Sequence, residues 1–233
     1  MTELASEVAE RLRARGAGLI GFADLSPVDA ETRRGFSRAV SFGVPLVPRI
    51  VASIRTGPTE EYCCEYDQRN AQLTAMAQEA AEFLESRGWR SQARPATGDW
   101  DRTTIRAPFQ QKTAATLAGL GWIGKCALLV TPEYGSAVRW STVLTDAPLP
   151  VGVAQTESRC GSCTACVDIC PGHACSGKEW RQGMPREEFW DHRACMRGMA
   201  AVSAGRSNHI GICGMCIAAC PHTQAYLRRA GAM

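Results

Sequence analysis

Residues 160–171, with the sequence CGSCTACVDICP, hold four cysteines and end in proline. The spacing of the four, C-x2-C-x2-C-x3-C-P, is one that places thiolates around [4Fe–4S] clusters. Three cysteines separated by two residues can wrap a tight loop around three corners of one cluster. The fourth cysteine points away from that loop, so we predict that it binds a second cluster.

A second motif, CGMCIAACP at residues 213–221, repeats the pattern but lacks one cysteine. Cys195 is our candidate for the missing ligand. The cysteines then form two complete sets, and each set takes one member from the other motif. The first set is Cys160, Cys163, Cys166 and Cys220, and the second set is Cys170, Cys195, Cys213 and Cys216. This arrangement predicts a ferredoxin-like module that holds two [4Fe–4S] clusters.

Zinc is the alternative metal for a group of cysteines. Structural zinc sites use four ligands, commonly in two separated C-x2-C pairs, and a C-x2-C-x2-C triplet fits that pattern poorly. Two further cysteines lie near the motifs. We interpret Cys126 as structural unless the GLGWIGK loop before it binds a cofactor, and Cys175 either as a small packing residue or as a substitute ligand.

The whole composition agrees with metal or redox chemistry. The chain has 233 residues and 12 cysteines. It shows no secretory signal, which argues against a disulfide framework. No apolar run reaches the length of a membrane span, so we expect a cytoplasmic protein without a membrane partner. The formal net charge is +3. Two oxidised clusters would bring it to about −1, so charge gives little support to nucleic-acid binding.

The cysteine content divides the chain near residue 150. We predict an α+β domain over residues 1–150 and a cluster domain over residues 151–233. Periodicity in the first domain predicts three helices and four strands, the last two of them forming a hairpin. The helices are expected at 2–16, 60–87 and 107–117, and the strands at 18–25, 39–46, 127–131 and 137–145.

The first domain contains a glycine-rich stretch, AGLGWIGK at residues 118–125. Glycines let the backbone approach a large ligand closely, although such a stretch can also be only a tight turn. The adjacent pair Cys63 and Cys64 lies at the start of the long predicted helix. These two residues are either small apolar packing residues or site thiols with a lowered pKa.

The stretch AGLGWIGK, then TPEYGSAVRWSTVLTDAPLP at 131–150, then the two cysteine motifs in this order, resemble the epoxyqueuosine reductase family. These are cobalamin-dependent iron–sulfur reductases related to reductive dehalogenases. The resemblance covers about residues 107–226. It implies a nitroreductase-like cobalamin-binding domain followed by the ferredoxin-like module, and it supports Cys195 as a cluster ligand. The cobalamin-binding residues that it implies are Gly119, Gly121, Trp122, Ile123, Gly124, Lys125 and Trp140.

Two features depart from this family. The family carries a proton-donating aspartate two residues before an Ala-Pro pair, and here that position is Ile105, with Asp101 as the nearest acid. The chain also ends at Met233 without the C-terminal helical-repeat domain that helps these enzymes hold tRNA, so we do not expect tRNA as the substrate. The candidate catalytic residues are Asp101, Cys63, Cys64 and Tyr66.

The resulting prediction is a reductase that takes electrons from a ferredoxin or flavodoxin. The clusters would pass them to a corrinoid bound without its lower axial ligand, which reduces a small substrate. Two alternatives stay open. The chain could be an electron-transfer activator that reduces the corrinoid of a partner protein, or it could bind flavin in place of cobalamin in the same type of fold.

Overall fold

The structure is a computed structural model that describes residues 2–97, 101, 104, 106–204 and 212–233. Ile105, at the position of the family aspartate, lies outside the described residues. The helices are α1 (Glu3–Ala14), α2 (Pro48–Ser53), α3 (Glu60–Ser86), α4 (Gln111–Leu117), α5 (Ala165–Asp168), α6 (His192–Ser203), α7 (Met215–Ala219) and α8 (Pro221–Arg229), with one 3-10 turn at Arg186–Glu188. The strands are β1 (Leu19–Asp24), β2 (Arg38–Pro45), β3 (Ser91–Arg94), β4 (Trp122–Ile123), β5 (Leu129–Val130) and β6 (Val138–Thr145).

These elements form two compact units that are interleaved along the chain. The first unit contains residues 1–45, 68–120 and 139–155. The second unit contains residues 46–67, 121–138 and 156–233, so the glycine-rich stretch after Leu120 is grouped with the cysteine motifs. The predicted division into domains at residue 150 stays a prediction.

The first unit is built on a four-stranded sheet with the order β1-β2-β6-β3. Strands β1 and β2 pair antiparallel, with Leu19 opposite Gly43, and β3 pairs antiparallel with β6. Side chains alternate between the two faces of a strand. Val40 and Phe42 of β2 accordingly pack with α1 and α3 on one face, whereas Ala39 packs with α4 on the other.

The positions of helices α1 and α3 are explained by a capping residue and by the spacing of apolar residues. Thr2 caps α1, because its hydroxyl oxygen accepts a hydrogen bond of 3.3 Å from the backbone N–H of Ala5. Apolar residues three or four positions apart then form one buried face of each helix. The buried residues on these faces include Val8 and Leu12 of α1 and Leu73, Met76, Ala80 and Leu84 of α3.

The second unit has short helices around its own apolar core. This core gathers residues of α2, the first turn of α3, α7 and α8, including Ile50, Ile54, Tyr62, Ile217 and Leu227. Strands β4 and β5 form a small antiparallel pair in which Trp122 lies opposite Val130. Hydrogen bonds tie the segments together, since the hydroxyl group of Tyr226 donates to the carbonyl of Leu46 at 2.9 Å.

The predicted helices and the first two predicted strands are confirmed, but the predicted hairpin is wrong. Residues 127–131 and 137–145 were expected to pair with each other. In the structure β5 pairs with β4, and β6 joins the four-stranded sheet of the first unit. The reason is that β6 has partners that are distant in sequence. Among the described residues no helix is long and apolar enough to cross a membrane.

We expect Leu84→Ala to lower the free energy of unfolding by about 2–5 kcal/mol, because Leu84 is fully buried in the core of the first unit and its removal leaves a cavity. Urea denaturation followed by circular dichroism under anaerobic conditions measures the change. Val153→Ala is the control, since Val153 is 83% exposed and its truncation should change stability by less than about 0.5 kcal/mol. Equal effects of the two substitutions would contradict the assigned core.

Candidate functional site

The first cysteine motif forms a tight loop followed by one short helix. The backbone N–H of Cys163 donates to the carbonyl of Cys160 at 3.1 Å, which closes the loop. Cys166 lies on α5, and Cys170 follows the end of that helix. The short helical turn between Cys166 and Cys170 separates the last cysteine from the loop, as the spacing predicts.

The second motif is arranged around α7 and α8. Cys216 lies on α7, and Cys220 stands between the two helices, where Pro221 begins α8. Proline fits this first helical position because it has no backbone N–H to leave unpaired. The change of direction at Cys220 separates its side chain from that of Cys216 on the preceding helix.

Four cysteines from the two motifs line a single cavity of about 120 Å³ in the second unit. They are Cys160, Cys163, Cys166 and Cys220, which form the first set predicted from sequence. The cavity is several times larger than the roughly 30 Å³ that one water molecule takes up. The remaining lining residues are Gly124, Lys125, Cys126, Val130, Arg159, Pro221 and His222.

The second set is also brought together. Cys170, Cys195 and Cys216 belong to one apolar cluster. Cys195 comes from α6, whose backbone passes so close to Gly172 that a side chain there would collide with the Ala194 carbonyl. Burial raises the pKa of the Cys195 thiol to about 12, and the neighbouring sulfurs of Cys216, Cys170 and Cys213 add to the effect. Cys195 therefore interacts with each of the other three members.

The electrostatics of Cys213 and Cys220 follow the predicted sets, whereas Cys216 of the second set interacts with Cys166 of the first. Burial raises the pKa of Cys213 to about 11, with further contributions from Cys216 and Cys170 of its own set. Burial likewise raises the pKa of Cys220, and the sulfurs that add to it are those of Cys160 and Cys166. Cys220 thus interacts with the first set rather than with the motif that contains it.

In the part of the chain that the structure describes, no group of three or more His, Cys, Asp or Glu side chains has the arrangement of ligands around one metal ion. A [4Fe–4S] cluster does not require that arrangement, because each of its four thiolates binds a different iron atom. Ligation of clusters by the two sets stays a prediction.

Lys125 fastens the glycine-rich stretch to the first cysteine loop. Its side chain is buried, at 5% exposure. The ammonium group donates to the carbonyls of Gly161 at 2.7 Å and Cys163 at 3.1 Å. Sequence reasoning assigned Lys125 to cobalamin, but the structure uses two of its three donors on the cysteine loop. The lysine also places a positive charge beside four thiols that must lose their protons to bind iron.

Two rings and a cation lie beside the same cavity. The ring of His222 meets that of Trp122 edge-on, with centroids 5.1 Å apart. The guanidinium of Arg159 lies 5.9 Å from the centroid of the Trp122 ring. Sequence reasoning did not place Arg159 at a site, and its only signal was its position directly before Cys160.

The glycines of the stretch are explained by packing within the chain. Gly119 has φ +77°, and a Cβ there would lie 2.5 Å from the carbonyl oxygen of Val153. A Cβ on Gly121 would collide with the carbonyl oxygen of Val130. Close backbone approach was the correct inference from these glycines, but what approaches is another segment of the same chain. Corrinoid contact by either glycine stays a prediction.

The remaining residues predicted for the site do not line the cysteine cavity. Cys63 is 1% exposed in the apolar core of the second unit, whereas its neighbour Cys64 is exposed. Tyr66 is half-buried against the same core as Cys63. In the first unit, Trp140 is buried on β6, and the exposed carboxylate of Asp101 accepts hydrogen bonds from the backbone and hydroxyl of Thr104 at 2.6 and 2.8 Å. The structure therefore does not bring Cys63 and Cys64 together as a pair of site thiols.

Known proteins similar to this chain share both sequence and fold with it. No protein-family model matches. The epoxyqueuosine reductase of Synechococcus sp. is 43% identical over 86 residues, which are 37% of this chain and 26% of that enzyme. That of Pseudomonas aeruginosa is 45% identical over 71 residues, 30% of this chain and 20% of the enzyme. The chain is thus a homologue of epoxyqueuosine reductases that matches about a quarter of their length.

Solved structures agree in fold over nearly the whole chain. An epoxyqueuosine reductase with an epoxyqueuosine-modified tRNA-Tyr stem loop has a TM-score of 0.67 at 20% identity, covering 96% of this chain and 66% of that one. A catabolic reductive dehalogenase in complex with 3-bromo-4-hydroxybenzoic acid has a TM-score of 0.70 at 16% identity, covering 96% and 33%. The mixed α and β fold is therefore the one found in both groups.

We expect Lys125→Met to lower the iron content of the purified protein from about eight toward about four atoms per chain, because the first cysteine loop loses its buried ammonium donor. Hydrogen bonds of a charged group are worth about 1.5–3 kcal/mol each. Iron and acid-labile sulfide analysis measures the loss. Lys178→Met is the matched control, since Lys178 is exposed and follows the same motif. Full iron content in Lys125→Met would refute the role of Lys125.

Proposed function

We propose that this chain, a homologue of the epoxyqueuosine reductases, is an oxidoreductase that binds two [4Fe–4S] clusters and a cobalamin and reduces a small substrate. The observation that carries the proposal is the cavity lined by Cys160, Cys163, Cys166 and Cys220. Three of these cysteines come from one motif and the fourth from the other, as two-cluster ferredoxin-like modules require.

The residues of the first cavity fit an iron–sulfur cluster. Its thiols surround a space larger than a water molecule, and Lys125 supplies a buried positive charge to a group that is anionic when bound. Clusters of this type supply one-electron transfer at low potential. Cys160, Cys163, Cys166 and Cys220 would hold the first cluster.

The second set would hold the second cluster. Cys170, Cys195 and Cys216 belong to one apolar cluster, and Cys195 also interacts with Cys213. The backbone N–H of Ala174 donates to the sulfur of Cys170 at 3.3 Å, a contact that stabilises a thiolate. A ferredoxin or flavodoxin is the proposed electron donor because it delivers electrons singly at low potential.

The proposed corrinoid is supported by the solved relatives and by one residue of the glycine-rich stretch. The Trp122 side chain is buried, and its indole N–H has no acceptor among the described residues. Buried donors normally have a hydrogen-bond acceptor, so we infer that a bound group supplies the acceptor for this N–H. Cobalamin, when bound, supplies a cobalt centre that accepts single electrons and reduces the substrate. Besides Trp122, the residues proposed to hold it are Gly119, Gly121, Ile123, Gly124, Lys125 and Trp140.

The proton for the reduction would come from an accessible group. Cys63 is unsuitable because it is buried in apolar surroundings. Asp101 and Cys64 are exposed, and Tyr66 is half-buried, so these three are the proposed candidates. A proton donor must come within hydrogen-bonding reach of the reacting atom, either directly or through one water molecule.

A second candidate function is an electron-transfer activator that reduces the corrinoid of a partner protein and binds no substrate. The isoleucine at position 105, where the family has its proton-donating aspartate, favours this alternative. A flavin in the place of cobalamin is a further alternative. The three possibilities differ in which cofactor the chain binds alone and in whether it turns over a substrate without a partner.

We expect cob(II)alamin to bind the cluster-loaded protein at stoichiometric concentration and to shift to its base-off spectrum. An anaerobic optical titration measures the shift, and the same titration with flavin mononucleotide is the comparison. Trp122→Phe removes the indole donor but keeps an aromatic ring, and it should weaken corrinoid binding by about 5–10-fold, the value of one hydrogen bond. An unchanged corrinoid spectrum with intact clusters would exclude a resident cobalamin.

We expect Cys195→Ala to reduce the iron content below about eight atoms per chain, because a cluster with three protein ligands loses one iron or is lost entirely. Iron analysis combined with electron paramagnetic resonance measures the change. Cys64→Ala is the matched control, since Cys64 is exposed and lies outside both sets. The assignment of Cys195 fails if the two variants have the same iron content and the same spectrum.

A further inference from the structure

Two cysteines that belong to neither set are buried against the predicted ligands. Cys126 is 6% exposed and Cys175 is 8% exposed. Both lie in one apolar cluster with Cys166 of the first set and with Cys170, Cys195 and Cys216 of the second. Sequence reasoning treated Cys126 and Cys175 mainly as packing residues, since neither extends a recognisable motif.

Cys126 contacts a ligand from each set. Its sulfur lies within hydrogen-bonding contact of the sulfurs of both Cys166 and Cys216, and its single S–H proton can point to either of them. It also lines the first cavity, next to Gly124 and Lys125. A Cβ built on Gly124 would lie 3.7 Å from the Cys126 sulfur and 3.6 Å from that of Cys160, which places the Cys126 sulfur at the wall of the first thiol set.

Cys175 contacts Cys166 of the first set and also lies near Cys170 and Cys216 of the second. Its thiol hydrogen-bonds to Cys166, so that cysteine receives two sulfur donors. The backbone holds Cys175 in place, because it forms an antiparallel bridge with Trp190 and its neighbour Ala174 accepts from the N–H of Asp191 at 2.8 Å. In the proposed function Cys166 is a cluster ligand and therefore a thiolate, whereas Cys126 and Cys175 are not ligands and keep their S–H protons.

Hydrogen bonds to the sulfur atoms of a cluster help to set its reduction potential. A reduced cluster carries one more negative charge than an oxidised one. A donor to a ligand sulfur therefore stabilises the reduced form more and raises the potential. An S–H group is a weak donor, but burial in an apolar environment strengthens its electrostatic effect.

We propose that Cys126 and Cys175 are positioning residues whose thiols hold the Cys166 sulfur and raise the reduction potential of the first cluster. Through its contact with Cys216, Cys126 also raises the reduction potential of the second cluster. Its sulfur atom lies between ligands of the two clusters. This inference rests on the proposed double-cluster function.

The experiment is an anaerobic potentiometric titration of the cluster-loaded full chain, followed by electron paramagnetic resonance. Cys160→Ser and Cys195→Ser, each with one ligand replaced, identify which signal belongs to which cluster. Cys175→Ala should shift the first cluster to a more negative midpoint by more than it shifts the second, whereas Cys126→Ala should shift both. Cys126→Ser keeps a donor and should lie between Cys126→Ala and the parent. Val153→Ala is the control, since Val153 is exposed and belongs to neither set, and it should match the parent.

The outcomes separate this inference from the proposed function. Absence of cluster signals in the parent protein would refute the double-cluster function itself. Parent signals with unchanged midpoints in Cys126→Ala and Cys175→Ala would refute the inference alone. A loss of iron in either alanine variant would also refute it, because that cysteine would then be a ligand rather than a donor. Selective shifts at full iron content would support it.

Discussion

The exchange of one cysteine between the two motifs is the constraint on which the second unit depends. Cys220 joins the thiols of the first motif around one cavity, while Cys170 joins those of the second motif. In this arrangement each set takes thiols from both motifs, so the motifs must fold together. Two further contacts help to bring the cysteines of each set together. Lys125 holds the first loop in place, and α6 passes close to Gly172, which brings Cys195 to the second set.

Placing so many thiols in one partly buried region creates an electrostatic problem. Burial raises the pKa of Cys195 and Cys213, so without metal these residues are protonated at neutral pH. Iron binding requires their thiolate forms and therefore releases protons. The charge that develops needs nearby donors and cations. The structure provides the Lys125 ammonium and the Arg159 guanidinium near the first set, and the Ala174 amide at Cys170 of the second.

The amino-acid sequence predicted those features that depend on residues close together in the chain. Apolar periodicity predicted α1 and α3, and cysteine spacing predicted a first set whose four members line one cavity. The sequence did not predict contacts between segments that are far apart in the chain. Strand β6 follows β5 closely, yet its sheet partners are β2 and β3. Gly119 and Gly121 indicated a close backbone approach without showing that the approaching atoms are the carbonyl oxygens of Val153 and Val130. Likewise, nothing in the local sequence around Cys126 shows that it contacts Cys166 and Cys216.

The position of the glycine-rich stretch bears on the direction of electron flow within the proposed function. Lys125 and Cys126 line the first cavity, and Trp122 packs against His222 of the same cavity. The indole N–H of Trp122 has no acceptor among the described residues. If it donates to a bound corrinoid, the first set of cysteines would lie nearer to the corrinoid than the second set. Electrons would then enter at the second set and leave from the first. Cys126, which contacts ligands of both sets, lies on the direct path between them. A donor that raises the potential of the first cluster more than that of the second would favour electron transfer in this direction.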